Sequence, residues 1–562
     1  MLYYLFLPLL LVTIYRLVQW MRHYIVARRY RLPIILLPVS FEDLWWMPLR
    51  PLFAWVRRLP FGLGNWYLYS TMGWPTEDLN ASVLKYGENF VLCSPIGNTL
   101  VSAETAVIET VYGGKHGAGW VKERGEWRMP EVQSQLFAFY GQNVSSTQGE
   151  EWKRHRRITA QAFNEQTTKR CWEETMREAG QMELESGGDM AHIRHLFDKL
   201  AMSVIMIVGF GQARGEEMTK VPEGHQETLF ECLEVILQNI LLTVVFQFLK
   251  VPDMFLPKVL RKLKVSYGEL KLYMEESVLR HKVTAQAKTS ADTPARSRSL
   301  LESMIQANEA DRFESTKTGT RPSYLTDSEL YGNIFAFNLA GYETTSGTLT
   351  FALPYLATHP EYQDWLFQEI KDAFNDNELP DYGKTYPYLV RCLAVMYETL
   401  RLASHPPMMI KSPTIPAQIT ITTPTGQHTV PISTGTRVGF NIYGAHLSPR
   451  WGPDPLSFDP KRFIATSPSG EETLRVPEGV LFAPWSLGAR VCPGKKFSQV
   501  EFVAVLARMM AEWRVEIVKV AGEDVEEAKM RALDVLADKK FNVSVHLVRP
   551  GDVELGFVRR NA

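Results

Sequence analysis

Apolar residues fill positions 1–15 almost without a break, and after Arg16 the pattern continues through Leu17, Val18, Trp20 and Met21. A helix that crosses a bilayer needs ~20 mostly apolar residues. The run reaches that length if Arg16 carries its charge to the membrane interface. The pattern therefore predicts an N-terminal transmembrane helix over residues 1–21. A cleaved leader would need a basic start and a small-residue cleavage site. No basic residue precedes Arg16, however, and the first alanine is Ala27. Arg16, Arg22, Arg28, Arg29 and Arg31 follow the run, which puts the remainder of the chain on the cytosolic side. Pro33, Pro38, Pro48 and Pro51 stiffen a basic linker over residues 22–60, and residues 61–562 are expected to form the main body.

Two short apolar runs, Phe90–Cys93 and Thr99–Ser102, flank Gly97-Asn98 and predict a hairpin. Residues 113–148 read as a long loop with short helical pieces, and residues 150–185 as helix. Residues 233–256 are strongly apolar with a break at Pro252, and read as a buried helix pair or a surface dipping into a membrane. Residues 285–299 read as a flexible connector. Thr326-Asp-Ser-Glu329 is a capping box ahead of a long apolar helix. Helical patterns continue to Ser404. Residues 411–440 turn to β-branched residues, Pro and Gly, which predicts a small sheet. Phe541–Val548 alternates like one strand. The fold class is mainly α with a minor β-sheet region, an α+β chain.

Composition narrows the function classes. The chain carries 61 basic and 62 acidic residues, a net charge of -1. A nucleic-acid protein usually shows a basic surplus, so none is expected as a partner. The five cysteines, Cys93, Cys171, Cys232, Cys392 and Cys492, are scattered and form no C-x-x-C pair. That argues against a zinc site and a disulfide framework and suits a reducing compartment. The sequons at Asn80, Asn143 and Asn542 are then chance matches.

One cysteine lies in an informative setting, Trp485-Ser-Leu-Gly488-Ala-Arg490-Val-Cys492-Pro-Gly494. A metal-binding sulfur needs a tight turn whose amides control its charge. Gly488 and Gly494 permit such a turn, and Arg490 can pair with an anion. Alone, the segment is also compatible with a buried free cysteine. It resembles, however, the cysteine-ligand loop of the cytochrome P-450 family, F-x-x-G-x-R-x-C-x-G. Four of the five fixed positions match, and Trp485 stands where the family has Phe.

Three further motifs occur in the family's order. Glu398-Thr-Leu-Arg401 is by itself an i, i+3 pair that could sit in solvent, but it resembles the family's E-x-x-R. Phe458-Asp-Pro-Lys-Arg462-Phe463 is similar to F-x-P-x-R-F. The resemblance implies a buried Glu398–Arg401–Arg462 network that assembles the haem pocket. Ala340-Gly341-Tyr-Glu343-Thr344 reads alone as a polar kink in a core helix. It resembles A-G-x-(D/E)-T, which implies a locally opened helix where O2 is handled, with Thr344 and Glu343 managing protons. Ala336, Ala340 and Thr344 share one helix face. Trp152-Lys-Arg-His155-Arg156 resembles W-x-x-x-R, implying that Trp152 and Arg156, joined by His155, reach the haem propionates together with Arg490.

The resemblance spans roughly residues 50–550. It implies the cytochrome P-450 fold and a haem-thiolate monooxygenase with haem b (iron protoporphyrin IX), in which Cys492 is the axial iron ligand and one atom of O2 enters a lipophilic small molecule. The chain is most similar in style to fungal microsomal members of secondary metabolism, with a terpenoid or polyketide substrate. Only 70 residues follow Cys492, too few for flavin and nicotinamide domains, so NADPH-derived electrons are expected from a partner reductase. Lys153, Arg154, Arg157, Lys495 and Lys496 would greet it. Substrate is expected among residues 113–148 (Phe137, Phe139 and Tyr140 included), residues 230–257, Ala336–Phe337 and Met408–Ile410. A monomer held in the endoplasmic reticulum membrane by a single pass, catalytic domain cytosolic, completes the expectation. The alternatives are a haem-thiolate isomerase or dehydratase and a haem-binding sensor without turnover.

Overall fold

Helix α1 (Leu2–Arg28) is 27 residues long and runs past residue 21. In the computed structural model, the residues described are 2–43, 45–113, 127–129, 138–184, 187–212, 220–239, 242–243, 256–287, 299–318, 323–374, 380–423 and 426–560. Among them, no helix is long and apolar enough to cross a membrane. Arg16 is the residue expected at an interface. Its guanidinium takes both oxygens of Asp43, at 2.6 and 2.9 Å, because a buried carboxylate needs a paired cation. Further along α1, Trp20 donates to the Cys93 carbonyl at 3.1 Å, and Asn98 donates to the His23 carbonyl at 2.8 Å.

Contacts divide the chain into two units. The first comprises Met1–Val132, Tyr397–Cys492 and Leu533–Arg549. Its sheet contains β1 (Ile34–Leu36), β2 (Asn89–Cys93), β3 (Asn98–Ser102), β4 (Trp127–Arg128), β5 (Met408–Pro413) and β6 (Arg437–Asn441), in the order β1-β2-β3-β6-β5-β4. β2 and β3 are the expected hairpin, antiparallel with Val91 opposite Leu100. β3 runs parallel to β6, and β6 antiparallel to β5. Both faces are covered: Phe90, Val101 and Met408 join one core with Trp74, while Val91, Leu100 and Phe440 join another. Two-sided burial explains why these strands read as continuous apolar runs. Phe541–Val548 is not one strand. Lys539–Phe541 and Val545–Leu547 pair antiparallel, closed by the Asn542 amide on the Ser544 carbonyl at 3.1 Å. Alternation persists on both sides of a polar turn, so periodicity alone does not reveal the break.

The second unit comprises Gln133–Met396, Pro493–Ala532 and Pro550–Ala562. It contains α2 (Gly149–Ala160), α3 (Glu165–Gly180), α4 (Met190–Val204) and α5 (Asp327–Ala357). The helix α6 (Val390–Leu402) begins in it and ends in the first unit, and α7 (Lys495–Glu512) follows. α5 starts at the expected capping box, with reciprocal bonds between Thr326 and Glu329. It is buried on nearly every side by α4, α7 and their neighbours, as an all-round apolar helix must be. Trp513–Ile517, Glu554–Arg559 and Gly188–Asp189 form a small sheet. The connector expected over 285–299 and the apolar segment 233–256 fall largely outside the described residues, as does Pro252.

Candidate functional site

Cys492 is the exposed cysteine; Cys93, Cys171, Cys232 and Cys392 are buried. Burial pushes the Cys93 thiol up to about 12, and burial first, with nearby carboxylates adding to it, raises Cys232 and holds Cys171 and Cys392 well above their ordinary value. Those four are therefore held as thiols, unsuited to ligation or nucleophilic chemistry. Cys492 ends a turn in which its own amide donates to the Trp485 carbonyl at 2.9 Å and the Val491 amide to the Gly488 carbonyl at 3.1 Å. Ser486 and Gly488 adopt positive φ, 65° and 63°. A side chain at Gly488 would also place its Cβ 2.5 Å from the Gly113 carbonyl oxygen, so backbone conformation and close approach both demand glycine. Gly494 has φ -83°, so the turn does not need its conformational freedom. Trp485 packs on Tyr397 with ring centroids 5.4 Å apart, which shows what the aromatic at that position does.

In the same unit, Glu398 and Arg401 are fully buried. Arg401 donates through Nε and Nη2 to the two Glu398 oxygens, both at 2.7 Å. Its remaining N–H groups reach the carbonyls of His446, Pro455 and Ser457. Arg462 approaches Glu398 at 3.5 Å and donates to the Trp451 and Asp454 carbonyls. The charge is thus paired and surrounded by acceptors, as burial requires.

In the second unit, α5 is open along one stripe. Ala340 is exposed, and Ala336, Phe337, Gly341 and Thr344 are half-buried, whereas Tyr342, Glu343 and Thr345 are buried. The expected local opening of the helix is not seen, since α5 is continuous. The Thr344 hydroxyl donates to the Ala340 carbonyl four residues back, at 2.8 Å, and that bond satisfies it without breaking the ladder. Gly341 lets Ile205 of the neighbouring segment approach, since an added Cβ would lie 2.4 Å from its Cδ1. Arg194 on α4 donates to the Glu343 carbonyl at 3.4 Å and pairs with Asp198 at 2.8 Å.

On α2, Trp152 and Arg156 are half-buried, but His155 does not share their side. It is fully buried, with Nε2 3.3 Å from Glu329 and Nδ1 2.8 Å from the Asn333 amide, both on α5. Its ring nitrogens are committed to binding α2 to α5. Of the basic residues expected to receive a reductase, Arg154 is tied to Glu329, Arg157 to Asp311 and Lys153 to Glu150. Lys496 lies 4.0 Å from the Tyr386 ring centroid, and Lys495 is exposed. Residues 114–126 and 130–137, with Phe137, and residues 240–241 and 244–255, lie outside the described residues. Phe139 and Tyr140 pack on Phe335 of α5, and Met408 and Ile410 are buried in the first unit. Asn80 and Asn143 are buried, which no glycan would permit.

Sequence reasoning passed over His446. It is buried in the short helix Ile442–His446, takes the Ala483 amide on Nε2 at 3.0 Å, and offers its carbonyl to Arg401 at 3.0 Å. A lone histidine between apolar residues gives no signal of such a role.

The family model described as Cytochrome P-450 matches residues 85–544 of the chain. The chain is 30% identical over 494 residues to a cytochrome P-450 monooxygenase, number 124, of Postia placenta, covering 86% of this chain and 88% of the relative. It is 28% identical to the phomenoic acid biosynthesis cluster cytochrome P-450 monooxygenase of Leptosphaeria maculans, covering 94% of each. Among solved structures, a zebra fish cytochrome P-450 bound to abiraterone superposes with a TM-score of 0.62 at 19% identity, covering 87% of this chain and 99% of that one.

Proposed function

The chain belongs to the cytochrome P-450 family and is a haem-thiolate monooxygenase, and from that premise we propose that Cys492 is the sulfur ligand of its haem iron. The carrying observation is that Cys492 is exposed on a turn that Gly488 alone can make, while the other four cysteines are buried. A soft thiolate donor on an open, rigid turn fits iron protoporphyrin IX. Bound there, the haem supplies an electron-rich iron that favours O–O cleavage.

The protein's residues hold and feed that group. The turn fixes the direction of the Cys492 sulfur, and the Glu398–Arg401–Arg462 network fixes the turn. Arg490, Trp152 and Arg156 are assigned to the propionates through charge-assisted bonds. His155 serves only to hold α2 on α5. Thr344 presents its hydroxyl on the open stripe of α5, where it now donates to the Ala340 carbonyl, and it would hold a proton there for the reacting oxygen. Glu343 resupplies it. Ala340 and Gly341 keep that stripe small, leaving room beside the hydroxyl.

The substrate is a lipophilic small molecule, and fungal secondary-metabolite biosynthesis is the setting that the relatives' names support. Electrons derive from NADPH through a membrane-bound reductase. We assign the protein to the endoplasmic reticulum membrane, attached by its N-terminal helix with the catalytic body in the cytosol. Support comes from the exposed Leu10, Leu11, Ile14, Leu17 and Val18 of α1, and from exposed Leu52, Trp55 and Phe61, since large apolar groups left open favour a lipid surface. Turnover with reductase, NADPH and isotope-labelled O2 tests the reading. One labelled oxygen per product molecule is the expected result; product formed without reductase would contradict it.

A further inference from the structure

We propose that His446 is a positioning residue for the cysteine loop, coupling Arg401 to Ala483 and so to the turn that carries Cys492. The proposal rests on the assignment of Cys492 as the iron ligand. Three direct contacts carry it. The Arg401 Nη1 donates to the His446 carbonyl at 3.0 Å, and the Ala483 amide donates to His446 Nε2 at 3.0 Å. The His446 ring then lies 5.2 Å from Phe482, which contacts Tyr397, Phe463 and Trp485. Trp485 in turn accepts the Cys492 amide. His446 thus joins the buried charge pair on one side to the start of the cysteine loop on the other.

The chemistry of the contact is specific. Accepting an N–H through Nε2 requires that nitrogen to be unprotonated, so the ring is neutral with its proton on Nδ1. Burial, assisted by the nearby Arg401 charge, lowers the His446 acidity range to about 3, so the acceptor persists at every working pH. Ala483 is buried as well. Its amide therefore has no water to turn to if the ring is removed, and an unsatisfied buried donor is costly. A histidine that merely filled core volume would be replaceable by an aromatic of similar size. A histidine that accepts this bond would not.

The test compares His446→Phe, which keeps a ring without the acceptor, with His446→Gln, whose amide oxygen can accept. His446→Asn, with the same amide on a shorter stem, supplies a second loss variant should the phenylalanine form fail to accumulate. In the haem-loaded protein, hydrogen exchange at the Ala483 amide and the rate at which the reduced carbon monoxide complex loses its thiolate-type Soret band are measured, with Cys492→Ala as control. Phe and Asn are expected to raise both rates by roughly tenfold, and Gln to return both toward the parent values. His446→Phe with parental Ala483 exchange and a parental band overturns this proposal alone, provided Cys492→Ala has lost the band. A thiolate band that survives Cys492→Ala overturns the ligand assignment and the proposal with it.

Discussion

Arg401 lies against Glu398 through two hydrogen bonds of 2.7 Å, one helical turn along α6, with no exposed surface on either side chain. Either charge without the other would be stranded in the interior. Replacing Glu398 by alanine is expected to cost about 3–5 kcal/mol of stability and to abolish haem retention. Arg401→Lys would fare little better, because a lysine cannot match the paired geometry. Thermal unfolding and haem content of the purified variants check this.

Gly488 carries the next prediction. Its φ of 63° disfavours any side chain, and a Cβ would meet the Gly113 carbonyl at 2.5 Å. Gly488→Ala should lose roughly 1–3 kcal/mol from backbone strain before the clash is added. The expected signature is a lower melting temperature together with a weakened thiolate spectrum. Gly87 also has positive φ but nothing within 4 Å of an added Cβ, so Gly87→Ala should show strain without spectral change.

Thr344 sits on the open stripe of α5 with its hydroxyl on a backbone carbonyl. Thr344→Ala therefore removes a proton donor and little else. Product formation should fall on the order of a hundredfold while NADPH use continues, and Thr344→Ser should restore coupling. Product per NADPH consumed is the measurement.

A fourth prediction concerns acid. Burial would raise the Glu329 carboxyl, but hydrogen bonds from His155, the Thr326 amide and Arg154 outweigh it and hold the group at about 2. An unfolded glutamate titrates near ~4.3. The stabilisation is therefore complete above that value and is lost as pH falls toward about 2. Glu329→Gln should be less stable than the parent at neutral pH, and the gap should close across that window. Denaturation followed at several pH values checks it.

What the sequence disclosed depended on how local each feature is. The capping box at Thr326 and Glu329, the β2–β3 hairpin and the i, i+3 pair Glu398–Arg401 are set by neighbours along the chain, and all were readable there. The Arg16–Asp43 pair joins residues 27 positions apart, and the periodicity of α1 carries no trace of it. His155 lies in a recognisable W-x-x-x-R segment, yet its partners Glu329 and Asn333 decide which way it faces. His446 meets a backbone amide 37 residues away, and a backbone partner leaves no side-chain signature. Cysteine identity alone could not separate Cys492 from the four buried thiols; the Gly488 turn did.

The most direct measurement is the absorption spectrum of the reduced, carbon monoxide-bound protein, taken for the parent and for Cys492→Ala. The account predicts a thiolate-type Soret band in the parent and its loss, with haem retention or activity, in the variant. A parent Soret band like that of a histidine-ligated haem, or a fully active Cys492→Ala protein, would contradict it.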